Sequence, residues 1–201
     1  MKRDGTIELL DWSMPLRALF ESYASIPDAE WIFFARHVAE RRFARGDFLC
    51  RAGQADPALY FVLEGIVRVF YSSDAGEPTR NFVFERRFAG DWAAVLTGEP
   101  CGTYQQALGP VRAMVIPGTL LGALYDRHPC WERIGRRMAE AAWLEKEEKE
   151  RRFRTLTPEA HYRLLLTWGS MKTTRVPLRH LASYLGVTPE TLSRIRARLR
   201  R

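Results

Sequence analysis

Glu190, Arg194 and Arg198 stand four apart near the end of the chain. On a helix that spacing stacks them along one ridge. A guanidinium can fork onto O6 and N7 of guanine, and a carboxylate can accept from N4 of cytosine. Such a ridge can read base edges, with Glu190, Thr191 and Arg194 as the candidate readers. Arg179, Thr188, Ser193, Arg196 and Arg198 are the candidates for phosphate contacts, which position a protein on a duplex without reading its sequence.

The elements needed to present this ridge are written into the residues around it. Leu178, Leu181, Ala182 and Leu185 fall on one face of a first short helix. Gly186 stands where a helix must stop and the backbone can turn left-handed. Thr188 suits an N-cap and Pro189 the first helical position. Leu192, Ile195 and Leu199 then give a second helix its inner face. Together these predict a helix-turn-helix whose second helix enters the major groove through its N-terminal half.

Charge supports a nucleic-acid partner. The 201-residue chain carries 31 Lys+Arg against 24 Asp+Glu. From Arg151 onward the count is 12 against 2, whereas the first 150 residues hold 19 against 22. Basic charge gathered in the last quarter favours counterion release on a duplex. The length allows one medium and one small domain, and the 46% hydrophobic content is that of an ordinary globular chain. No apolar run reaches membrane-spanning length and the N-terminus lacks a signal-like apolar stretch, so a cytoplasmic address without membrane contact is expected. Cys50, Cys101 and Cys130 are widely spaced and form no metal-ligand pattern with the four histidines, so neither a metal site nor a disulfide framework is expected. No hydrolase, zinc-protease, P-loop or dinucleotide motif is present, so no catalytic residues and no enzymatic activity are expected.

Upstream, the periodicity predicts helices over Met14–Tyr23 and Asp28–Ala39. From Phe43 to Val115 the chain is rich in Phe, Val, Tyr and Ile, punctuated by Gly, Asp and Pro, the texture of many short strands. Leu59–Leu63, Ile66–Tyr71, Thr79–Glu85 and Val111–Ile116 are the clearest runs, and they predict an antiparallel barrel or roll. From Cys130 the pattern is helical. Trp131, Ile134, Met138 and Ala141 form a stripe suited to pairing with a second copy, the alternative being packing against the chain's own roll, and the charged run beyond Glu145 continues the helix through i,i+4 pairs. A further helix is expected over Pro158–Trp168, with Tyr162, Leu165 and Leu166 inward.

This order of parts resembles the Crp/Fnr family of bacterial transcription regulators. The likeness is carried by Gly46-Asp47-Phe48-Leu49 and Gly53, by the strand–glycine–strand run from Tyr60 to Val69, by Thr157-Pro158-Glu159 with Tyr162, and by Val176 through Arg196, which resemble the form seen in Bacteroidetes. The resemblance implies an α+β fold. An N-terminal antiparallel β-roll of double-stranded β-helix type, cyclic-nucleotide-binding-like and flanked by helices, would span 1–127. A long dimerisation helix would span 128–154, and a winged-helix-like helix-turn-helix domain 155–201. It implies a homodimeric, sequence-specific regulator on an inverted repeat of double-stranded DNA, with RNA polymerase as a further partner. Cyclic-nucleotide-binding members carry a phosphate cassette, Gly-Glu at a short helix and then Arg-Ser. Here Gly90-Asp91-Trp92 resembles the opening, but Cys101 and Gly102 stand where Arg and Ser would be. Without the arginine a buried cyclic phosphate loses its charge partner, so the expected effector is an unidentified small molecule, and not cAMP held by the usual contacts. The alternative is a cyclic-nucleotide or other small-ligand receptor acting through a protein partner.

Overall fold

The computed structural model describes residues 14–74, 76–167 and 174–199. Two helices, α1 (Met14–Glu21) and α2 (Asp28–Ala35), come first. Eight strands follow: β1 (Ala39–Phe43), β2 (Phe48–Cys50), β3 (Ala58–Glu64), β4 (Val67–Phe70), β5 (Thr79–Val83), β6 (Phe88–Gly90), β7 (Tyr104–Ala107) and β8 (Val111–Pro117), with the short helix α3 (Trp92–Thr97) between β6 and β7. Helices α4 (Leu120–Arg127), α5 (Pro129–Thr155), α6 (Pro158–Thr167), α7 (Leu178–Leu185) and α8 (Pro189–Arg198) complete the order.

The strands form two four-stranded antiparallel sheets, β1-β8-β3-β6 and β2-β7-β4-β5. Alternation along β3 explains how they stack. Leu59 and Phe61 face the helical side, in one core with Phe20, Trp31, Phe34 and Trp131. Tyr60 and Val62 face the other way, with Val67, Val69 and Val83 of the second sheet. The first sheet is therefore buried on both faces, which is why β3 reads as a continuous apolar run. The outer face of the second sheet is covered too: Ile66, Phe82 and Leu108 pack into a third core with Tyr162, Leu165 and Tyr184. The order of layers is helices, sheet, sheet, helices. Among the described residues no helix is long and apolar enough to cross a membrane.

The helix expected over Asp28–Ala39 ends at Ala35, and Ala39 opens β1 instead. The helix from Met14 stops at Glu21, and Trp168, the expected end of the helix from Pro158, lies outside the described residues. No strand is found after Pro117 among the described residues, so the winged form of the C-terminal unit is not seen there.

The apolar stripe of α5 needs correction. Trp131 and Ile134 are each 3% exposed and belong to the core beneath the first sheet. The Trp131 indole meets Phe34 at 5.3 Å, and its Nε1–H donates to the buried Glu30 carboxylate at 3.1 Å. Met138 packs on the edge of the same core, while Ala141 is exposed. Helical spacing identifies one apolar face but does not say which body covers it, and here the chain's own core does. The most exposed large apolar side chains on α5 are Trp143 and Leu144, at 59% and 68%, with Phe153 at 42% near its end.

Candidate nucleic-acid interface and effector pocket

Helix α7 ends as its sequence requires. Gly186 takes φ 68°, and the Val187 N–H reaches the Ala182 carbonyl at 3.0 Å while the Gly186 N–H reaches Ser183 at 3.2 Å. This is the Schellman arrangement, and a residue with a Cβ would be strained there by conformation. Nothing lies within 4 Å of a Cβ placed on Gly186, so space is not the constraint. Thr188 then caps α8, its Oγ1 accepting the Thr191 N–H at 3.2 Å, and Pro189 follows in the first turn. Leu192 and Ile195 are buried, which fixes the rotation of α8 about its own axis.

That rotation leaves Glu190, Ser193 and Arg194 exposed and Thr191 half-buried. Among the described residues no hydrogen bond or ion pair holds the Arg194 guanidinium. Its own backbone N–H first, then Thr188, holds the Glu190 carboxyl below the usual range, and the nearby Arg194 charge adds to this. Glu190 and Arg194 thus form a short open ridge. Arg198 does not continue it: its guanidinium is drawn to Glu159 of α6 at 2.6 Å, and Glu159 also pairs with Arg163 at 3.0 Å. Arg196 is likewise engaged, donating to the Tyr162 hydroxyl at 3.0 Å. The exposed Arg179 donates to His180 Nε2 at 3.3 Å. The Arg198 pair is solvated and weakly held, so an incoming phosphate could exchange for Glu159.

In the roll, Gly90, Asp91, Cys101 and Gly102 come together. Gly90 has φ 118°, and a Cβ on it would lie 2.6 Å from the Ala58 carbonyl oxygen across the β3–β6 pair. Asp91 is 6% exposed and caps α3. Its carboxylate accepts the Gly102 N–H at 2.9 Å, the Thr103 hydroxyl at 3.2 Å and the Ala94 N–H at 3.4 Å. Gln105, 1% exposed, accepts the Gly90 N–H at 2.6 Å and donates to Thr103 Oγ1 at 3.4 Å. Cys101 is buried, its N–H and carbonyl bonded to Gln54 and Gly53 at 3.0 and 2.7 Å. Burial pushes the Cys50 thiol up, and the neighbouring Cys101 thiol adds to it. Trp92 does not join this cluster, since it packs with Phe88 on the helical side. Sequence reasoning missed Thr103 and Gln105; the run Cys101-Gly-Thr-Tyr-Gln-Gln-Ala107 mixes polar and apolar residues and gave no signal for them.

A second group that the sequence did not reveal joins the long helix to both neighbours. Lys149 of α5 donates to the Arg80 carbonyl oxygen and lies 5.8 and 5.1 Å from the ring centres of Phe153 and Tyr184. Burial, aided by the Arg80 charge, lowers Lys149 to about 8.

Residues 40–128 match the family profile described as Cyclic nucleotide-binding domain. No curated protein matches the chain. Among solved structures, the chain is similar to the c-di-GMP responsive global regulator CLP of Xanthomonas campestris, with TM-score 0.66 and 18% identity over 87% of this chain and 92% of that one. It is similar to FixK2 of Bradyrhizobium japonicum, with TM-score 0.66 and 17% identity over 81% and 84%. It also resembles the regulatory subunit of a cAMP-independent protein kinase A from Trypanosoma brucei, with TM-score 0.51 and 18% identity over 67% of this chain. The match spans about half of that subunit, 53% of its length. At these identities the likeness is one of fold.

Proposed function

We propose, taking residues 40–128 as a cyclic nucleotide-binding domain, that the chain is a non-enzymatic, sequence-specific DNA-binding regulator of transcription of the Crp/Fnr type. The observation that carries this reading is the open Glu190–Arg194 ridge on a capped helix whose opposite face is buried. Glu190, Thr191 and Arg194 read base edges in the major groove, and Arg179, Thr188, Ser193, Arg196 and Arg198 serve the phosphates. The basic last quarter of the sequence supports the same partner. The division into a roll over 1–127, a connecting helix over 128–154 and a reading unit over 155–201 follows from this assignment of roles.

One reading helix covers one half-site, so the regulator acts as a homodimer. Trp131 and Ile134 are committed to the chain's own core. The second copy therefore seats on the neighbouring face of α5, where Ala139, Glu140, Trp143 and Leu144 line a shallow apolar depression. Two such faces placed together would cover Trp143 and Leu144, and Arg136 and Glu140 beside them supply both signs of charge.

Cys101 and Gly102 stand where the resemblance puts an Arg-Ser pair, and the Asp91 carboxylate beside them is bonded to Gly102 and Thr103, so we take the effector to be an unidentified small molecule and not cAMP bound through an Arg-Ser pair. The rival reading, a small-ligand receptor acting on a protein partner, draws on the kinase-subunit likeness over the roll.

Selection of bound sites from random duplexes at two salt concentrations tests the main reading. The expected product is an inverted repeat with half-sites about one helical turn apart, bound more weakly at higher salt. Salt-dependent binding without a preferred site would reduce the protein to a nonspecific binder. In sedimentation, Trp143→Glu should shift a dimer toward monomer; a wild-type protein that is monomeric at every concentration would end the homodimer assignment.

A further inference from the structure

We infer that the outer face of the β4–β5 hairpin forms one wall of the core of helices α6–α8, so that the roll itself sets where the reading helix points. The apolar part of this wall is Ile66, 4% exposed, together with Phe82, whose ring lies 5.6 Å from that of Tyr184 on α7. A polar seam runs beside it. The Thr79 N–H donates to the Ser183 hydroxyl at 2.9 Å, and that hydroxyl donates to the Glu77 carbonyl at 3.4 Å. Arg68, opposite Phe82 on the same outer face, stiffens the hairpin. Its buried guanidinium bonds the Glu77 carboxylate at 2.9 Å and the Thr79 hydroxyl at 3.0 Å. At the hairpin's far end Arg175 pairs with Glu85 at 2.6 Å. Lys149 closes the junction from the long helix, bonded to a β5 carbonyl and set over Tyr184.

Two physical consequences follow. A unit of 47 residues, 155–201, buries only a modest fraction of its own surface and is marginal alone; here the sheet supplies a further wall. A reading helix fixed to the roll also loses less orientational freedom on binding DNA than one on a loose tether. Movement of the hairpin would thus reach α8 through α7, beside any route along α5. Both statements place regulation on the β4–β5 hairpin, whose residues are distinct from the proposed DNA contacts.

The effect on DNA rests on the regulator reading, but the wall does not. Hydrogen exchange on the full chain tests the wall with Phe82→Ala, a roll residue. Amides of α7 and α8 should lose at least tenfold of their protection, while those of β3 and β8 keep theirs. Should β3 and β8 loosen as well, Ser183→Ala decides, because it removes the seam bond without opening a core cavity; a loss of about threefold confined to the C-terminal helices is expected. Unchanged protection of α7 and α8 in the deciding variant overturns the inference. Binding to the selected duplex should weaken at least tenfold in Phe82→Ala, although Phe82 is remote from the Glu190–Arg194 ridge. Tighter binding would instead mean that the wall holds the reading helix away from DNA, and would overturn the orientation assigned here. If wild type binds no duplex, the regulator reading fails while the exchange result still judges the wall.

Discussion

Asp91 and Glu190 are both acidic residues at the start of a helix, and their circumstances are opposite. Asp91 is buried, and its carboxylate is occupied by Gly102, Thr103 and Ala94. Glu190 is exposed, with Arg194 one turn further along. A buried polar group must be matched inside the fold, so the cluster in the roll is spent on holding β6, α3 and β7 together. A surface group is already solvated, and exchanging water for a ligand costs it little. The pocket that a family likeness would mark for a ligand is therefore the closed site, and the C-terminal ridge is the open one.

The largest expected effect is at the support of the open ridge. Leu192 is fully buried on the inner face of α8, and Leu192→Ala should destabilise the protein by about 2–5 kcal/mol; urea denaturation measures it. Asp91→Ala breaks the closed cluster, leaving the Gly102 N–H and the Thr103 hydroxyl without their acceptor. A loss of about 1–3 kcal/mol of stability is expected, with the selected DNA site unchanged. If the variant is as stable as wild type, the cluster is not the structural brace described here. Arg194→Ala sharpens the contrast from the other side. Stability should stay within about 0.5 kcal/mol, while specific DNA binding weakens by about 1–3 kcal/mol and one base position becomes permissive. Equal affinity for specific and random duplexes in wild type and variant would remove Arg194 from the readers.

The smallest effect concerns pH at the wall between the two regions. Burial, and then the charges of Arg68 and Arg179, press His180 down to about 4, with Glu77 opposing. An unfolded histidine titrates near 6.5. Between about 4 and 6.5 the unfolded chain binds more protons than the folded one, so stability rises with pH across that window and is lost as pH falls through it. The Tm of wild type should fall on acidification from about 6.5 to 4, and His180→Gln should flatten that slope. An identical slope in the variant would show that His180 stays solvated.

Much of the C-terminal unit was legible because its determinants are local. Gly186, Thr188 and Pro189 act through their own backbone and the next few residues, so their roles survive without knowledge of the rest of the fold. The four strand runs were legible for a similar reason. β2, β6 and β7 are three or four residues long, too short for alternation to separate them from loop. The α5 stripe divides: Trp131 and Ile134 pack into the chain's own core, Met138 lies on its edge, and Ala141 stays exposed. Asp91 and Cys101 could be picked out as a pair, but Thr103 and Gln105 become their neighbours only once β7 is laid against β2 and β4.

The order of amino acids alone settled which segments turn, where the last helix is capped, and which of its side chains lie on one ridge, since these depend on contacts a few residues apart. Tertiary packing decided what covers each apolar face and which charged groups remain open. Trp131 turned inward, Asp91 was occupied, Arg198 was drawn to Glu159, and the β4–β5 face came to lie under α7. Each of these depends on groups far apart in the chain competing for the same partner, and that competition is resolved only when all of them are in place.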